Sequence, residues 1–297
     1  MIRHLWNKIS EIKANSAFGL RVAFKLGIIS RFKKSHTYNQ EVILNYLEDF
    51  FKDIAIEREE IQDTKNEGPV WFCWWQGKAE MPPLVQKCWR ELKKNVTNRE
   101  IIFIDQSNYT EYILLSPVII NRFKKGEISI AHFSDVIRFN LLNKYGGIWL
   151  DSTILTSCNS EKYLSHSFFT ISIPKTESYV SRGKWSGFAI GGNKSNPLFK
   201  YLVDCYNYYW ERHCKAIDYL MMDFFILLAY NKSENIKKEI DECSIQLPLL
   251  YYLQEHLYRV ADDSDIRIIH NYPFSKLTWK HKSIIAPHNS VIDYLKE

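Results

Sequence analysis

Asp135, Arg138 and Asp151 fall close together in the segment Ser134–Thr156, SDVIRFNLLNKYGGIWLDSTILT. A guanidinium grips phosphate oxygens in a fork, and carboxylates accept hydrogen bonds from hydroxyls, so the three suit a ligand that carries both groups. Asp135 and Arg138 stand three apart and share one helical face, while Val136, Ile137, Phe139, Leu141 and Leu142 supply the apolar stripe. Gly146 and Gly147 stop the helix and permit a tight turn that a side chain would obstruct. Ile148, Trp149 and Leu150 then read as a buried strand that carries Asp151 to its end. The same residues admit plainer roles: Asp135 as a first-turn acid beside Ser134, and Arg138 as the ion-pair partner of a strand-end Asp.

The surrounding elements alternate. Residues 38–62 read as helix, Gln62–Pro69 as a polar linker, then strand 70–75, helix 84–94, strand 100–104, helices near 109–125, helix 132–145 and strand 148–155. Strands near 168–173 and 187–191 follow, then helices 197–213 and 218–231. This order predicts an α/β domain with a mostly parallel sheet, helices on both faces and a ligand site at the carboxyl ends of the strands. Gln76, Asp105 and Asp151 all fall on that edge. At 297 residues the chain is long enough for one large domain with a substantial core. Six cysteines occur without a CxxC pair, which indicates neither a zinc site nor a disulfide framework.

The Ser134–Thr156 segment resembles the glycosyltransferases of the capsular polysaccharide synthesis family and the related retaining sugar transferases of family 32. Their hallmark is S-D-x-x-R, Y-G-G and a hydrophobic strand ending in D-x-D or D-x-T. Val70–Gly77 (VWFCWWQG), Met81-Pro82-Pro83 with its following helix, Glu100–Asn108, Trp185–Gly191 and Asp218–Ile226 agree with the same family, so the resemblance spans about residues 66–282. It implies a GT-A type, Rossmann-like nucleotide-diphosphosugar transferase over 66–297 behind a helical segment over 1–65. It further implies a hexose moved, with retention, from a nucleotide sugar such as a UDP-sugar to a lipid-linked oligosaccharide. By position, Asp135 and Arg138 would contact donor sugar and phosphate, with Asp105 and Gly147 beside them, and Trp74, Trp75 and Gln76 would meet the base. Strand alternation allows only one of the two tryptophans to stack. Asp151 would hold a Mn²⁺ or Mg²⁺ ion against the diphosphate, acting as Lewis acid. Thr153 replaces the second carboxylate and weakens that set, so His270 is a candidate third ligand; alternatively Lys276 or Lys280 neutralises the phosphates. Asp223 is the chosen catalytic carboxylate, since Asp218 lies about 140° away around a helix. A front-face mechanism, with the departing phosphate taking the acceptor proton, is the default.

The net charge of +5 is unevenly spread: residues 1–34 hold eight Lys or Arg against Glu11 alone, interleaved with apolar residues. Such a basic amphipathic segment suits an anionic membrane surface, or equally a helical hairpin packed on the domain. No apolar run approaches the roughly 18 residues of a membrane span. The expectation is a peripheral protein at the cytoplasmic face of a bacterial membrane, with no nucleic acid partner. Two other readings stand beside it: a non-catalytic nucleotide- or carbohydrate-binding relative, favoured by Thr153, and a metal-dependent phosphatase, which would want a second Asp where Thr153 stands.

Overall fold

Short runs of branched and aromatic residues, apolar on both faces, form strands that must be covered on both sides. The structure is a computed structural model and describes residues 34–57, 64–173, 180–194, 196–280 and 286–296. Its strands are β1 (Val70–Cys73), β2 (Ile101–Ile104), β3 (Gly147–Asp151), β4 (Ile154–Thr156), β5 (Phe168–Ser172), β6 (Ala189–Gly192), β7 (Ser244–Gln246) and β8 (Phe274–Lys276). The helices are α1 (Lys34–Phe50), α2 (Pro83–Asn95), α3 (Tyr109–Tyr112), α4 (Pro117–Lys124), α5 (Ile130–Tyr145), α6 (Pro197–Arg212), α7 (Met221–Lys232), α8 (Glu234–Cys243), α9 (Tyr252–Glu255), α10 (Asp263–Asn271) and α11 (Val291–Tyr294).

Six strands form one sheet in the order β2-β1-β3-β6-β5-β7, and β4 pairs with β8 in a separate ribbon. The α/β class and the mostly parallel sheet are as expected: β1 runs parallel to β2 and β3, and β5 to β7, while β6 alone enters antiparallel, between β3 and β5. The expected strand 148–155 is in fact two. After Asp151 the chain turns at Ser152 and Thr153 and leaves the main sheet for the ribbon with β8. The expected helix over 38–62 ends at Phe50.

Side-chain alternation divides the core. Trp71, Trp149 and Ile190 face α5, α6 and α7, against Phe139, Leu202 and Phe225. Val70, Phe72, Ile148 and Leu150 face the other way, against Val85 and Leu92 of α2 and Phe274 of β8. Ile43, Leu47 and Phe51 belong to the first cluster, and Tyr46 donates or accepts a 2.8 Å bond with His213, so α1 is built into the domain ahead of the expected boundary at 66. The basic stretch 1–33 lies outside the described residues. Among the described residues no helix is long and apolar enough to cross a membrane.

The Gly-Gly turn works as its sequence implies. Gly146, at φ 68°, ends α5 with its N–H on Leu142 O, and Gly147 continues at φ 92°. A Cβ on Gly147 would stand 2.1 Å from the Pro69 carbonyl oxygen, so this position needs glycine for backbone approach between β1 and β3.

Candidate active site

Cys73 and Asp151 are partners in the parallel register of β1 and β3, so both chains leave the sheet at the same edge. There they open into a cleft of about 680 Å³. Trp74, Trp75, Gln76, Asp135, Arg138, Asp151, Asp223, Lys276 and Lys280 all line it. Asp105, Gly147, Thr153 and His270 do not. Asp105 closes the loop after β2 instead, accepting from Ser107 N at 2.8 Å and Ser107 Oγ at 2.6 Å. His270 is exposed on the last turn of α10, because that helix buries Asp265 and Ile269 and turns its neighbours outward.

One chain of charge crosses the cleft floor. Arg138, only 4% exposed, pairs Nη1 with Asp135 Oδ1 at 3.2 Å and Nη2 with Asp151 Oδ1 at 3.1 Å. Its guanidinium also donates to Met222 Sδ and lies 4.8 Å from the centre of the Trp149 ring. Asp151 Oδ1 accepts a further bond from Trp149 Nε1 at 2.9 Å, and Oδ2 accepts from Lys276 Nζ at 3.1 Å. Lys276 Nζ reaches Thr153 Oγ1 as well, at 2.9 Å. Asp135 sits inside α5, whose N-cap is Ser129, and pairs with Arg138, so the ion-pair role holds for the arginine and the capping role fails for the acid.

The carboxylates differ in protonation because their surroundings differ. Burial pushes Asp151 up, but Lys276 and Arg138, with the Trp149 N–H, hold it below the ordinary carboxylate range. Burial pushes Asp135 up to about 6 against the opposing pull of Arg138. Asp223, in the first turn of α7, is pushed by burial up to about 7, against the Trp185 Nε1 bond of 2.9 Å on its Oδ1. A half-buried acid with its midpoint near neutrality, in a cleft with two fixed cations, has the marks of a functional group.

The two tryptophans part as alternation requires. Trp75 packs into Tyr109, Phe123 and Phe133, whereas Trp74 meets Trp279 edge-on at 5.6 Å on the opposite side. Trp279 is 40% exposed, and Lys280 extends beside its ring.

A divalent cation needs oxygen ligands with free lone pairs. Asp151 gives both acceptor sites of Oδ1 to Arg138 and Trp149 and one of Oδ2 to Lys276, and the Lys276 ammonium stands between the two side chains, Asp151 and Thr153, that a D-x-T pattern would offer. Among the described residues no group of three or more His, Cys, Asp or Glu is placed to hold an ion. The donor set at the end of β3 therefore does not fit a divalent metal.

Four contributors were not singled out by the sequence: Trp149, Trp185, Met222 and Trp279. Trp149 was legible, since it stands two before Asp151 and shares its strand face. Trp185 and Met222 meet Asp223 and Arg138 only through the tertiary fold.

The sequence model of a family described as capsular polysaccharide synthesis protein matches residues 25–295. No curated protein matches the chain. Among solved structures, one titled "PaToxG Glycosyltransferase" is 15% identical, with a TM-score of 0.41 over 71% of this chain and 83% of that one.

Proposed function

The chain belongs to the capsular polysaccharide synthesis protein family, and from that premise we propose that the cleft transfers a hexosyl group from a nucleotide diphosphosugar to a glycan acceptor. The observation that carries this reading is the convergence of Arg138 and Lys276 on one carboxylate, Asp151, at the mouth of β1 and β3. Side-chain cations fixed at a strand edge meet a diphosphate, and the neighbouring acids meet sugar hydroxyls.

In this reading Trp74 and Trp279 offer ring faces and edges to the base, with UDP the expected nucleotide. Asp135 accepts from a donor hydroxyl while keeping Arg138 in place. Asp151 is a positioning residue: it touches both cations and orients them toward the phosphates. Asp223 lies beside the anomeric carbon as the carboxylate that answers positive charge growing there. As the bond from the anomeric carbon to the phosphate oxygen breaks, its electron pair leaves on that oxygen. The acceptor hydroxyl attacks from the same face, and its proton passes to the departing phosphate, which retains configuration. The family and the basic composition of residues 1–34 support a lipid-linked glycan acceptor met at the cytoplasmic face of a membrane.

Calorimetric titration with UDP and with UDP-hexoses tests the reading. Saturable binding that weakens in Asp151→Asn, which keeps the side-chain shape but removes the charge on which both cations converge, is the expected result. Absence of binding to any nucleoside diphosphate or nucleotide sugar refutes it. Binding without turnover of any donor is the result that favours a non-catalytic relative.

A further inference from the structure

We propose that Lys276 is the resident counter-cation for the leaving diphosphate and that the donor binds and reacts without a divalent metal. This deepens the donor reading above and rests on it.

The position of Lys276 is fixed by the fold. β8 pairs antiparallel with β4, setting Lys276 opposite Ile154, and Leu277 N donates to Thr153 O at 3.0 Å while Lys276 N donates to Leu250 O at 2.8 Å. The backbone is thus pinned on both sides of the lysine. Its side chain is 19% exposed and its ammonium stands 4.7 Å from the centre of the Phe188 ring, partly out of water but open to the cleft. An ammonium has three donors. Two are given to Asp151 Oδ2 and Thr153 Oγ1, which leaves one for a phosphate oxygen.

Charge explains why Thr153 and Lys276 occur together. Two carboxylates with a divalent cation between them sum to zero, and so do one carboxylate, one hydroxyl and one ammonium. An Asp at 153 beside Lys276 would leave an excess negative charge facing the diphosphate, whereas the threonine hydroxyl accepts from the ammonium without adding charge. The opposite exchange, a metal introduced beside Lys276 and Arg138, would set a divalent charge against two cations held within hydrogen-bond distance of its own ligand. On bond cleavage the charge that develops on the β-phosphate oxygen is met by Lys276, which gives a hydrogen bond and keeps its proton.

UDP and inorganic pyrophosphate are titrated into the purified full chain after EDTA treatment and again with Mn²⁺. The expected result is the same affinity, within about twofold, in both conditions. Lys276→Met is expected to weaken both ligands by about 10- to 100-fold, the worth of one charge-assisted hydrogen bond, and Lys276→Arg to recover part of the loss in EDTA. The double change Thr153→Asp with Lys276→Ala is expected to make UDP binding depend on Mn²⁺. Binding by the wild-type chain that is lost in EDTA and restored by Mn²⁺ overturns the proposal and leaves the donor reading standing; this arm needs no variant and decides the matter even if a substitution unfolds the protein. Unchanged affinity in a folded Lys276→Met also overturns it. Absence of binding by UDP and pyrophosphate in every condition overturns the donor reading and this proposal together.

Discussion

Replacing Asp223 by Asn should make the protein more stable at neutral pH while destroying its activity. The carboxyl accepts from Trp185 Nε1 at 2.9 Å in a part-buried setting, and its midpoint is pushed from the ordinary 3.8 up to about 7. Between those values the unfolded chain has released the proton and the native chain still holds it, so the native state binds more protons and stability falls as pH rises through the window. Each pH unit between the two midpoints is about 1.4 kcal/mol, which places the full cost at roughly 4 kcal/mol above pH 7. Asparagine keeps the oxygen that accepts from Trp185 and cannot ionise. Urea unfolding of both proteins from pH 4 to pH 8 measures the difference directly, and groups that do not face Asp223 cancel in it. The expected difference is close to zero at pH 4 and grows to roughly 2–4 kcal/mol in favour of Asp223→Asn at pH 8, after relaxation around the charge. A difference that does not change with pH, or one that favours the wild type at pH 8, refutes the reasoning. A gain in stability coupled to loss of turnover would identify Asp223 as a group kept for chemistry at the expense of the fold.

His213 titrates in the opposite sense. Burial lowers it to about 4, so between its unfolded value near 6.5 and about 4 the unfolded chain binds the extra proton and stability is lost as pH falls; His213→Gln should flatten the acid side of the stability curve by up to about 3 kcal/mol in the same urea experiment. Gly147→Ala meets the Pro69 carbonyl oxygen at 2.1 Å with φ at 92°, so it should cost well over the roughly 1–2 kcal/mol of a left-handed residue alone and sharply lower the thermal midpoint. Trp279→Ala removes a ring that is 40% exposed and should leave the thermal midpoint unchanged while weakening UDP about 5- to 100-fold by calorimetry.

The part of this fold that was legible in sequence is the part written in local patterns. Val70–Cys73 and Ile101–Ile104 are unbroken apolar runs, α2 and α5 carry helical periodicity, and the Gly-Gly turn can be read as a place where a Cβ has no room. The insertion of β6 between β3 and β5 was not legible, because pairing between strands distant in sequence is decided by the whole sheet rather than by either strand. Nor was the departure of the chain at Ser152 into a ribbon with β8, which is what carries Lys276 to a carboxylate 125 residues earlier. That contact separates two residues of the C-terminal segment. Lys276 was an expected phosphate partner and His270, six residues before it, a candidate metal ligand; the ribbon brings the lysine to Asp151, while the histidine lies on the exposed face of α10. Asp135, Arg138 and Asp151 were named from their spacing, but their connection into a single charged chain with Lys276 belongs to the tertiary structure.

The most direct measurement of the central claim is release of free nucleoside diphosphate from a panel of nucleotide hexoses, with water standing in for the acceptor. At least one donor is expected to be cleaved, with retention of anomeric configuration by NMR, and the rate to fall about 100-fold or more in folded Asp223→Asn and Asp151→Asn proteins. Cleavage of no donor, or equal cleavage by wild type and both variants, would contradict it.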